Sequence, residues 1–288
     1  AHPAADMLDV LAPSRSVLTL ADENAVRRYL HDKRPDVVIH AAGKVGGIKA
    51  NMADPVGFYL HNLQIGTNVL LAARDAGVRK VINLGSTCMY PRHAENPLVE
   101  TSILTGELEP TNEGYALAKI GVQRLGQYLS LSSVDFDVKT IVPCNLYGPF
   151  DKFDEFNAHL IPAVLRKLHV AREQGDESVT IWGDGTARRE FMYVGDLTGL
   201  LWRCCGDFDR LPPLMNAGIG RDFSITDYYE IAARIVGYEG RFIYDTSQPT
   251  GMKQKLASSE LAAEWGWKAE TDLHEGLTKT YEYFRANQ

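Results

Sequence analysis

The sequence predicts an α/β fold built on a Rossmann-like, doubly wound parallel sheet with a smaller α/β lobe. Short apolar runs such as residues 37–42 alternate with longer helical segments through the first half of the chain. Buried parallel strands have such continuous apolar runs because helices cover both faces of the sheet. Polar loops follow several runs, and we expect a ligand site there because open α/β sheets bind ligands at the carboxyl ends of their strands.

The first predicted elements precede this buried run. Residues 7–11 and 17–20 are apolar enough to form two short strands. Asp22 is a suitable N-cap for a helix through Leu30, because its carboxylate can accept free backbone N–H groups of the first turn. The Pro-Asp pair at positions 35–36 then ends this helix before the buried strand.

The alternation continues to Pro149 and then changes. Up to that point the predicted segments are a helix over 55–76, a strand over 80–86, a helix from Tyr115 to about Leu131 and a strand over 138–142. The later predicted segments are helices over 160–174, 225–236 and 273–285, with short strands such as 179–182 between them.

This change predicts two parts of the chain. We expect residues 1–149 to form the doubly wound domain. We expect residues 150–288 to form mainly a second lobe, interleaved with the last elements of the sheet.

Composition narrows the class of protein. A chain of 288 residues with 45% hydrophobic residues can bury a large core, and its net charge of −7 argues against sequence-independent nucleic-acid binding. No apolar run approaches the length of a membrane span. We expect no metal site, because there is no metal-ligand spacing among the four cysteines, Cys88, Cys144, Cys204 and Cys205. We expect a reducing, cytoplasmic setting, because the vicinal pair at 204–205 is a poor candidate for an ordinary disulfide.

A tyrosine and a lysine stand four positions apart on one predicted helix. Tyr115 and Lys119 therefore share a face of that helix, where the ammonium can stabilise the phenolate. The hydroxyl of Ser86, at a strand end, would complete a proton relay. The pair alone also suits an ordinary amphipathic helix surface, so the interpretation depends on the motifs around it.

Those motifs resemble the extended short-chain dehydrogenase/reductase superfamily, which acts mostly on nucleotide sugars. The resemblance covers nearly the whole chain and includes Ser86, the Tyr115-x-x-x-Lys119 pair and the Asn-Leu-Tyr-Gly-Pro motif at 145–149. Within the superfamily the sequence closely resembles the GDP-L-fucose synthase family. That closer resemblance is carried by residues 41–48, 85–91, 109–113, 182–186 and 189–191.

The resemblance implies epimerisation at C3 and C5 and reduction at C4 of GDP-4-keto-6-deoxymannose. It gives Cys88 and His159 the roles of base and acid on opposite faces of the sugar, for which a thiolate and an imidazole are suited. Tyr115 and Ser86 would bond to the C4 oxygen. Lys119 would lower the pKa of the tyrosine and hold the nicotinamide ribose.

The resemblance also implies NADP(H) as cofactor. Residues 1–149 would then be an NADP-binding domain that is incomplete at its N-terminal end, and residues 150–288 mainly a substrate-binding lobe. Arg15 matches a position that contacts the adenosine 2′-phosphate, and a guanidinium suits a dianionic phosphate. Leu20 matches a position beside the adenine. The positions that match the nicotinamide half are Leu84, Lys119, Pro143, Asn145 and Leu146.

Four residues match positions that grip the nucleotide diphosphate of the GDP-sugar: Lys167, Trp182, Arg189 and Lys255. Lys167 stands where an arginine is frequent in the family, which keeps the charge but loses bidentate geometry. Related enzymes pair helices like those over 55–76 and 115–131 into a bundle, so a homodimer is expected.

One part of the superfamily pattern is absent from this sequence. The superfamily begins with a strand and a Gly-x-x-Gly-x-x-Gly turn whose N–H groups hold the cofactor pyrophosphate. By comparison, roughly thirty residues that would carry this turn are expected before position 1. Without its central strand, the sheet would have unpaired edges.

Two alternative functions remain open. A sister enzyme could use the same Ser-Tyr-Lys set on another nucleotide sugar, as a GDP-deoxyheptose reductase, a 4-epimerase or a dehydratase. A dehydratase would carry an acidic residue beside Ser86, where this chain has Thr87 and Cys88. A non-catalytic scaffold that lost cofactor binding is the other alternative, and retention of Ser86, Tyr115 and Lys119 argues against it.

Overall fold

A computed structural model of the chain describes residues 8–154, 158–248 and 251–287. Its helices are α1 (Glu23–Lys33), α2 (Ile48–Ala53), α3 (Pro55–Asp75), α4 (Glu113–Leu131), α5 (Leu160–Gln174), α6 (Val194–Gly206), α7 (Ile225–Val236), α8 (Glu260–Glu264) and α9 (Leu273–Ala286). Its strands are β1 (Val37–His40), β2 (Lys80–Leu84), β3 (Asp137–Pro143), β4 (Asn145–Tyr147), β5 (Ser178–Trp182), β6 (Arg188–Arg189), β7 (Phe191–Tyr193), β8 (Leu214–Ala217), β9 (Phe223–Ser224), β10 (Arg241–Asp245) and β11 (Gln254–Lys255).

Four parallel strands form the main sheet, in the order β1-β2-β3-β8. Lys80 at the start of β2 lies opposite both Val37 of β1 and Asp137 of β3. Strand β8 comes from the second half of the chain and pairs Leu214 with Thr140 of β3. Because all four strands run in one direction, their carboxyl ends meet at a single edge, where a ligand site is expected.

Helices cover both faces of this sheet. Successive residues of a strand point to opposite faces, and Val81 packs into a core with α1, α3 and α4, whereas Ile82 packs into a core with α6 and Trp265. His40 lies buried at the end of β1, where burial lowers its pKa to about 3. The predicted doubly wound α/β fold is therefore confirmed, and His40 is a neutral packing residue.

A second core lies between α5, α7 and α9. Tyr147, Phe191 and Tyr228 fill its centre, with the last two rings edge to face at a centroid distance of 5.2 Å. Small sheets border this core: β10 pairs with β5, β4 pairs with β7, and β11, β6 and β9 form the third. The division of function between residues 1–149 and 150–288 stays a prediction.

A buried carboxylate ties three separate segments together. Glu190, which lies between β6 and β7, accepts backbone N–H groups from Ile219 at 2.7 Å, Gly220 at 2.9 Å and Ala257 at 2.9 Å. Burial raises the pKa of Glu190 to about 7, although these three donors act in the opposite direction. The contact with Ala257 holds the segment that carries β11 beside β6.

The prediction of two strands at the beginning of the chain is wrong. Residues 8–11 form no strand and 17–20 form turns and loop, while Met7 lies outside the described residues. The side chain of Val10 is 53% exposed. The reason is non-local: a strand needs a neighbour for its N–H and C=O groups, and within the described ranges the only strand paired with β1 is β2.

The predicted helices agree more closely with the structure than the predicted strands do. Asp22 caps α1 by accepting the N–H of Ala25 at 3.0 Å, as expected, although the helix continues beyond Leu30 to Lys33. Helix α5 and helix α7 have the bounds that the sequence predicts. None of the helices in the described ranges is long and apolar enough to cross a membrane.

Candidate active site

The site begins in the turn that follows β2. Ser86 caps a short 3₁₀ turn over Thr87–Met89, and its Oγ accepts the N–H of Cys88 at 3.2 Å. Ser86 and Cys88 are half-buried at the carboxyl end of the main sheet. The turn thus presents a hydroxyl and a thiol from neighbouring positions at the ligand-binding edge.

Tyr115 enters this site from the first turn of α4. Its ring packs edge to face against Phe58, with centroids 6.4 Å apart, and its phenol bonds to the side chain of Ser86. Burial raises the pKa of Tyr115, as does the nearby Cys88, while the bond to Ser86 acts in the opposite direction. Lys119 was expected to lower this pKa. In the structure the pKa is raised instead, because burial is the largest effect on the phenol.

Lys119 lies one turn further along α4 and is 6% exposed. Its Nζ donates to the carbonyl of Leu84 at 2.8 Å and stands 5.8 Å from the centroid of the Tyr115 ring. Burial lowers the pKa of Lys119 to about 8. The helix spacing predicted from the sequence thus brings both side chains to the end of β2.

The predicted nicotinamide-side residues lie on neighbouring strand ends. Leu84 and Pro143 are buried where β2 and β3 end, and Leu146 is half-buried in β4. Asn145 donates from its Nδ2 to the carbonyl of Glu190 at 2.9 Å. These residues share one region with Lys119, whose Nζ bonds to the carbonyl of Leu84.

Two donors meet at the sulfur of Cys88. The Nδ2 of Asn112 lies 3.2 Å from Sγ, and the Nζ of Lys255 lies 3.8 Å from it. Sequence reasoning assigned Lys255 to the substrate diphosphate and did not single out Asn112. The sequence feature that could have identified Asn112 is its position inside segment 109–113, which resembles the family.

Arg189 adds a second cation to this region. Burial lowers its pKa, whereas Glu109, Tyr228 and Cys88 raise it electrostatically. Register places Arg189 of β6 directly opposite Lys255 of β11. Two predicted diphosphate-binding residues therefore stand side by side near the thiol.

The remaining predicted substrate residues lie around β5. Lys167 donates from Nζ to the carbonyl of Thr180, and burial lowers the pKa of Lys167. Trp182 ends β5 and is 42% exposed, with Nζ of Lys49 standing 4.4 Å from its ring centroid. Lys49 was not predicted, since nothing in its local sequence marks a partner more than a hundred residues away.

His159 lies at the start of α5 and is half-buried. Burial lowers its pKa, while the carboxylate of Asp151 acts in the opposite direction. Burial in turn raises the pKa of Asp151. Residues 155–157 of this loop lie outside the described ranges, and the pairing of His159 with Cys88 across a sugar ring stays a prediction.

The predicted adenosine-side residues lie before α1. Arg15 is exposed, and its carbonyl accepts from the hydroxyl of Thr19 at 3.5 Å. Leu20 is half-buried, and its carbonyl accepts Nδ2 of Asn68 at 2.8 Å. Among the described residues, no group of three or more His, Cys, Asp or Glu side chains could hold a metal ion.

Comparison with known proteins identifies relatives of this chain. It is 48% identical over 99% of its length to a GDP-L-colitose synthase from Yersinia pseudotuberculosis, of which it covers 92%. It is 43% identical over 96% of its length to a GDP-L-fucose synthase from Azorhizobium caulinodans, of which it covers 88%.

A solved structure and a family model agree with these relatives. The GDP-mannoheptose C4 reductase from Campylobacter jejuni with NADP bound superposes with a TM-score of 0.85 at 29% identity, covering 96% of this chain and 89% of that one. The model of the NAD dependent epimerase/dehydratase family matches residues 5–218. With the Ser-Tyr-Lys site at the carboxyl ends of a doubly wound sheet, these matches show that the chain belongs to the NAD dependent epimerase/dehydratase family.

Proposed function

We propose that this protein is an NADPH-dependent epimerase/reductase that converts GDP-4-keto-6-deoxymannose to GDP-L-fucose. The observation that carries the proposal is that a Ser-Tyr pair lies beside a cysteine: Oγ of Ser86 accepts the backbone N–H of Cys88, and both Ser86 and Cys88 act on the phenol of Tyr115. A reductase needs the first two residues, whereas the thiol supplies a base for epimerisation. The 43% identity to a GDP-L-fucose synthase supports the same substrate class.

The chemistry of the substrate explains why one site can perform both reactions. Removal of the proton at C3 or C5 leaves an enolate whose charge is delocalised onto the C4 oxygen. In the proposed mechanism the Cys88 thiolate accepts that proton, and His159 returns a proton from the opposite face. Ser86 and Tyr115 stabilise the negative charge on the C4 oxygen, because O–H donors act strongly in a partly desolvated site.

Reduction uses the same carbonyl. NADPH, when bound, would supply the hydride for C4, and the phenol of Tyr115 would give its proton to the oxygen that becomes the hydroxyl. The raised pKa of Tyr115 supports this role, because the phenol is protonated near neutral pH. Ser86 holds the oxygen in both stages.

The residues present fit the nicotinamide half of NADPH. Lys119 is a buried donor, and at Gly43 an added Cβ would lie 3.1 Å from Oδ1 of Asn62 and 3.9 Å from Nζ of Lys119, so the backbone at Gly43 lies close to the ammonium. Leu84, Pro143, Asn145 and Leu146 would line this half, and Arg15 and Leu20 the adenosine half. Lys167, Trp182, Arg189 and Lys255 would hold the GDP moiety.

Turnover in D₂O tests the proposal directly. Incubation with NADPH and GDP-4-keto-6-deoxymannose should oxidise NADPH and give GDP-L-fucose with deuterium at C3 and C5. Cys88→Ser and His159→Gln should lose the exchange, whereas a simple reductase would survive both substitutions. A wild-type chain that neither oxidises NADPH nor incorporates deuterium would overturn the proposal.

A second candidate substrate is supported by a separate observation. The 48% identity to a GDP-L-colitose synthase exceeds that to the GDP-L-fucose synthase, and a GDP-mannoheptose reductase shares the fold. Small differences of pocket shape decide between such sugars. Parallel kcat/KM measurements on the 4-keto precursors of GDP-L-fucose, GDP-L-colitose and the GDP-heptose would identify the preferred substrate.

We infer also that the protein acts as a cytoplasmic homodimer. Helices α3 and α4 expose apolar side chains, among them Leu60 at 55%, Leu117 at 41% and Tyr128 at 63%. A second copy of the chain could cover these surfaces as a helix bundle, which supports the dimer. The free state of the four cysteines supports a reducing compartment.

A further inference from the structure

We infer that Lys49 is a further binding residue for the GDP-sugar, and that its ammonium contacts the nucleotide diphosphate. This inference rests on the proposed function, because it extends the site proposed for the GDP moiety. Neither the sequence motifs nor the resemblance to the family gives Lys49 a role. Its assignment depends on where the fold places α2.

Helix α2 brings Lys49 close to a residue that would hold the GDP moiety. A Cβ added at Gly251 would lie 3.5 Å from Nη2 of Arg189 and 3.6 Å from Cδ1 of Ile48. Arg189 and Ile48 therefore approach the same point from two distant segments of the chain. Because Lys49 directly follows Ile48, the start of α2 lies beside the predicted diphosphate residues.

The same end of α2 lies beside the segment that leads to His159. A Cβ added at Gly47 would lie 3.7 Å from the carbonyl oxygen of Ala158, the residue before His159. Helix α2 also lies close to the 3₁₀ turn over Pro110–Asn112, which directly precedes α4. The helix that carries Lys49 therefore borders the candidate catalytic residues as well as the predicted substrate residues.

The backbone at the start of α2 is held by its own contacts. Nδ2 of the buried Asn51 donates to the carbonyl of Gly46 at 2.8 Å and to that of Gly47 at 3.0 Å. A Cβ added at Gly46 would lie 3.2 Å from Cζ of Phe58, whose ring packs against Tyr115. Only the lysine side chain must therefore be ordered when a ligand binds, which lowers the entropic cost of binding.

The ammonium of Lys49 lies over an aromatic ring and is open to solvent. Its Nζ stands 4.4 Å from the centroid of the Trp182 ring, and both side chains are exposed. Among the residues that the structure describes, no carboxylate forms an ion pair with Lys49, whereas the nearby Lys44 is paired with Asp54. The charge of Lys49 is therefore available to an anionic ligand.

A nucleoside diphosphate is a stronger partner for this ammonium than the ring is. A cation over an exposed ring gains little, whereas a bond between an ammonium and a phosphate oxygen is charge-assisted. The side-by-side cations Arg189 and Lys255 also favour an anion at this point. On binding, Lys49 exchanges the Trp182 ring for a phosphate oxygen and leaves the ring face free for the ligand.

Binding of GDP to the full chain, without cofactor or turnover, tests the inference. Isothermal titration calorimetry at low and at high salt gives the Kd of each variant. Lys49→Met should weaken GDP binding roughly tenfold at low salt, because one charge-assisted contact is lost. The difference from wild type should shrink at high salt, since salt screens an exposed charge.

Charge and position are controlled separately. Lys49→Arg should bind GDP nearly as wild type does, because the charge remains, and Lys49→Gln should behave as Lys49→Met does. Lys268→Met is the matched control, since it removes the same charge from an exposed side chain in the loop between α8 and α9. Its affinity for GDP should match wild type, and thermal unfolding without ligand should show that every variant is folded.

Two outcomes would overturn the inference. One is equal affinity for GDP in wild type and Lys49→Met at low salt. The other is a loss of affinity in Lys49→Met that stays the same at high salt, which would make the contact with Trp182 a structural one. The D₂O experiment reports the proposed function separately: turnover with equal GDP affinities would remove this inference alone, whereas salt-dependent GDP binding through Lys49 without turnover would remove the proposed reaction alone.

Discussion

At the scale of single residues, burial controls how the central side chains titrate. It raises the pKa of Tyr115 and lowers that of Lys119 to about 8. Near neutral pH we therefore expect a protonated phenol beside a charged ammonium. This combination suits a step in which Tyr115 gives a proton to the C4 oxygen, and less a phenolate that waits as a base.

Removal of one hydroxyl tests this role. Tyr115→Phe should lower NADPH oxidation by roughly 10²–10⁴-fold, the usual contribution of a positioned general acid. The ring contact with Phe58 needs no hydroxyl, so thermal unfolding should change little. Tyr244→Phe is the matched control, because Tyr244 is 43% exposed on β10, outside the proposed dimer surface. Wild-type turnover by Tyr115→Phe would contradict the proton transfer.

The pKa of Lys119 predicts a pH limit on reduction. Its ammonium loses its proton at about pH 8, so the rate of NADPH oxidation should fall as the pH rises through that value. Lys119→Arg keeps a charge throughout this range, so its alkaline limb should move to higher pH. The measurement is kcat against pH for both proteins. A wild-type rate that stays level through this range would refute the assignment.

At the scale of elements, the crossing of α3 and α4 sets the position of Tyr115. A Cβ added at Gly66 of α3 would lie 2.4 Å from Cγ2 of Val122, and one added at Gly114 of α4 would lie 2.7 Å from the carbonyl oxygen of Pro55. Both distances are too short for a side chain. The glycines therefore allow the two backbones to approach, and Gly114 directly precedes the catalytic candidate.

Gly66→Ala should consequently destabilise the protein by roughly 1–3 kcal/mol, the usual cost of overpacking a core. Urea unfolding measures this difference. Adding Val122→Ala should recover part of the loss, because it removes the methyl groups that the new Cβ would meet.

The control lies at the end of another helix. A Cβ added at Gly206 of α6 would meet no atom within 4 Å, so Gly206→Ala should cause no comparable loss of stability. Equal effects of Gly66→Ala and Gly206→Ala would mean that close packing is not the cause.

At the scale of the whole molecule, the exposed apolar faces of α3 and α4 predict a dimer. Leu60→Glu and Leu117→Glu together should shift sedimentation toward the monomer, since a desolvated charge opposes association. Val134→Glu is the control, because Val134 is fully exposed in a loop beyond α4. A wild-type chain that sediments as a monomer at every concentration would refute the proposed interface.

Prediction from the sequence worked where the signal was local. The helices predicted over 160–174 and 225–236 match the bounds of α5 and α7, and the four-residue spacing gave the shared helix face of Tyr115 and Lys119. Prediction failed for residues 8–11, where an apolar run has no strand beside it in the described part of the chain. Strand formation depends on pairing, which composition does not reveal.

The sequence by itself determined the α/β class, the candidate catalytic motif and its resemblance to a nucleotide-sugar family, because these are properties of short segments and their order. Tertiary structure decided which side chains share an environment. Asn112 and Lys255 reach the sulfur of Cys88 from 24 and 167 positions away, and no local pattern encodes such contacts. It also decided the titration of Tyr115 and Lys119, since desolvation exists only once the chain has closed around them.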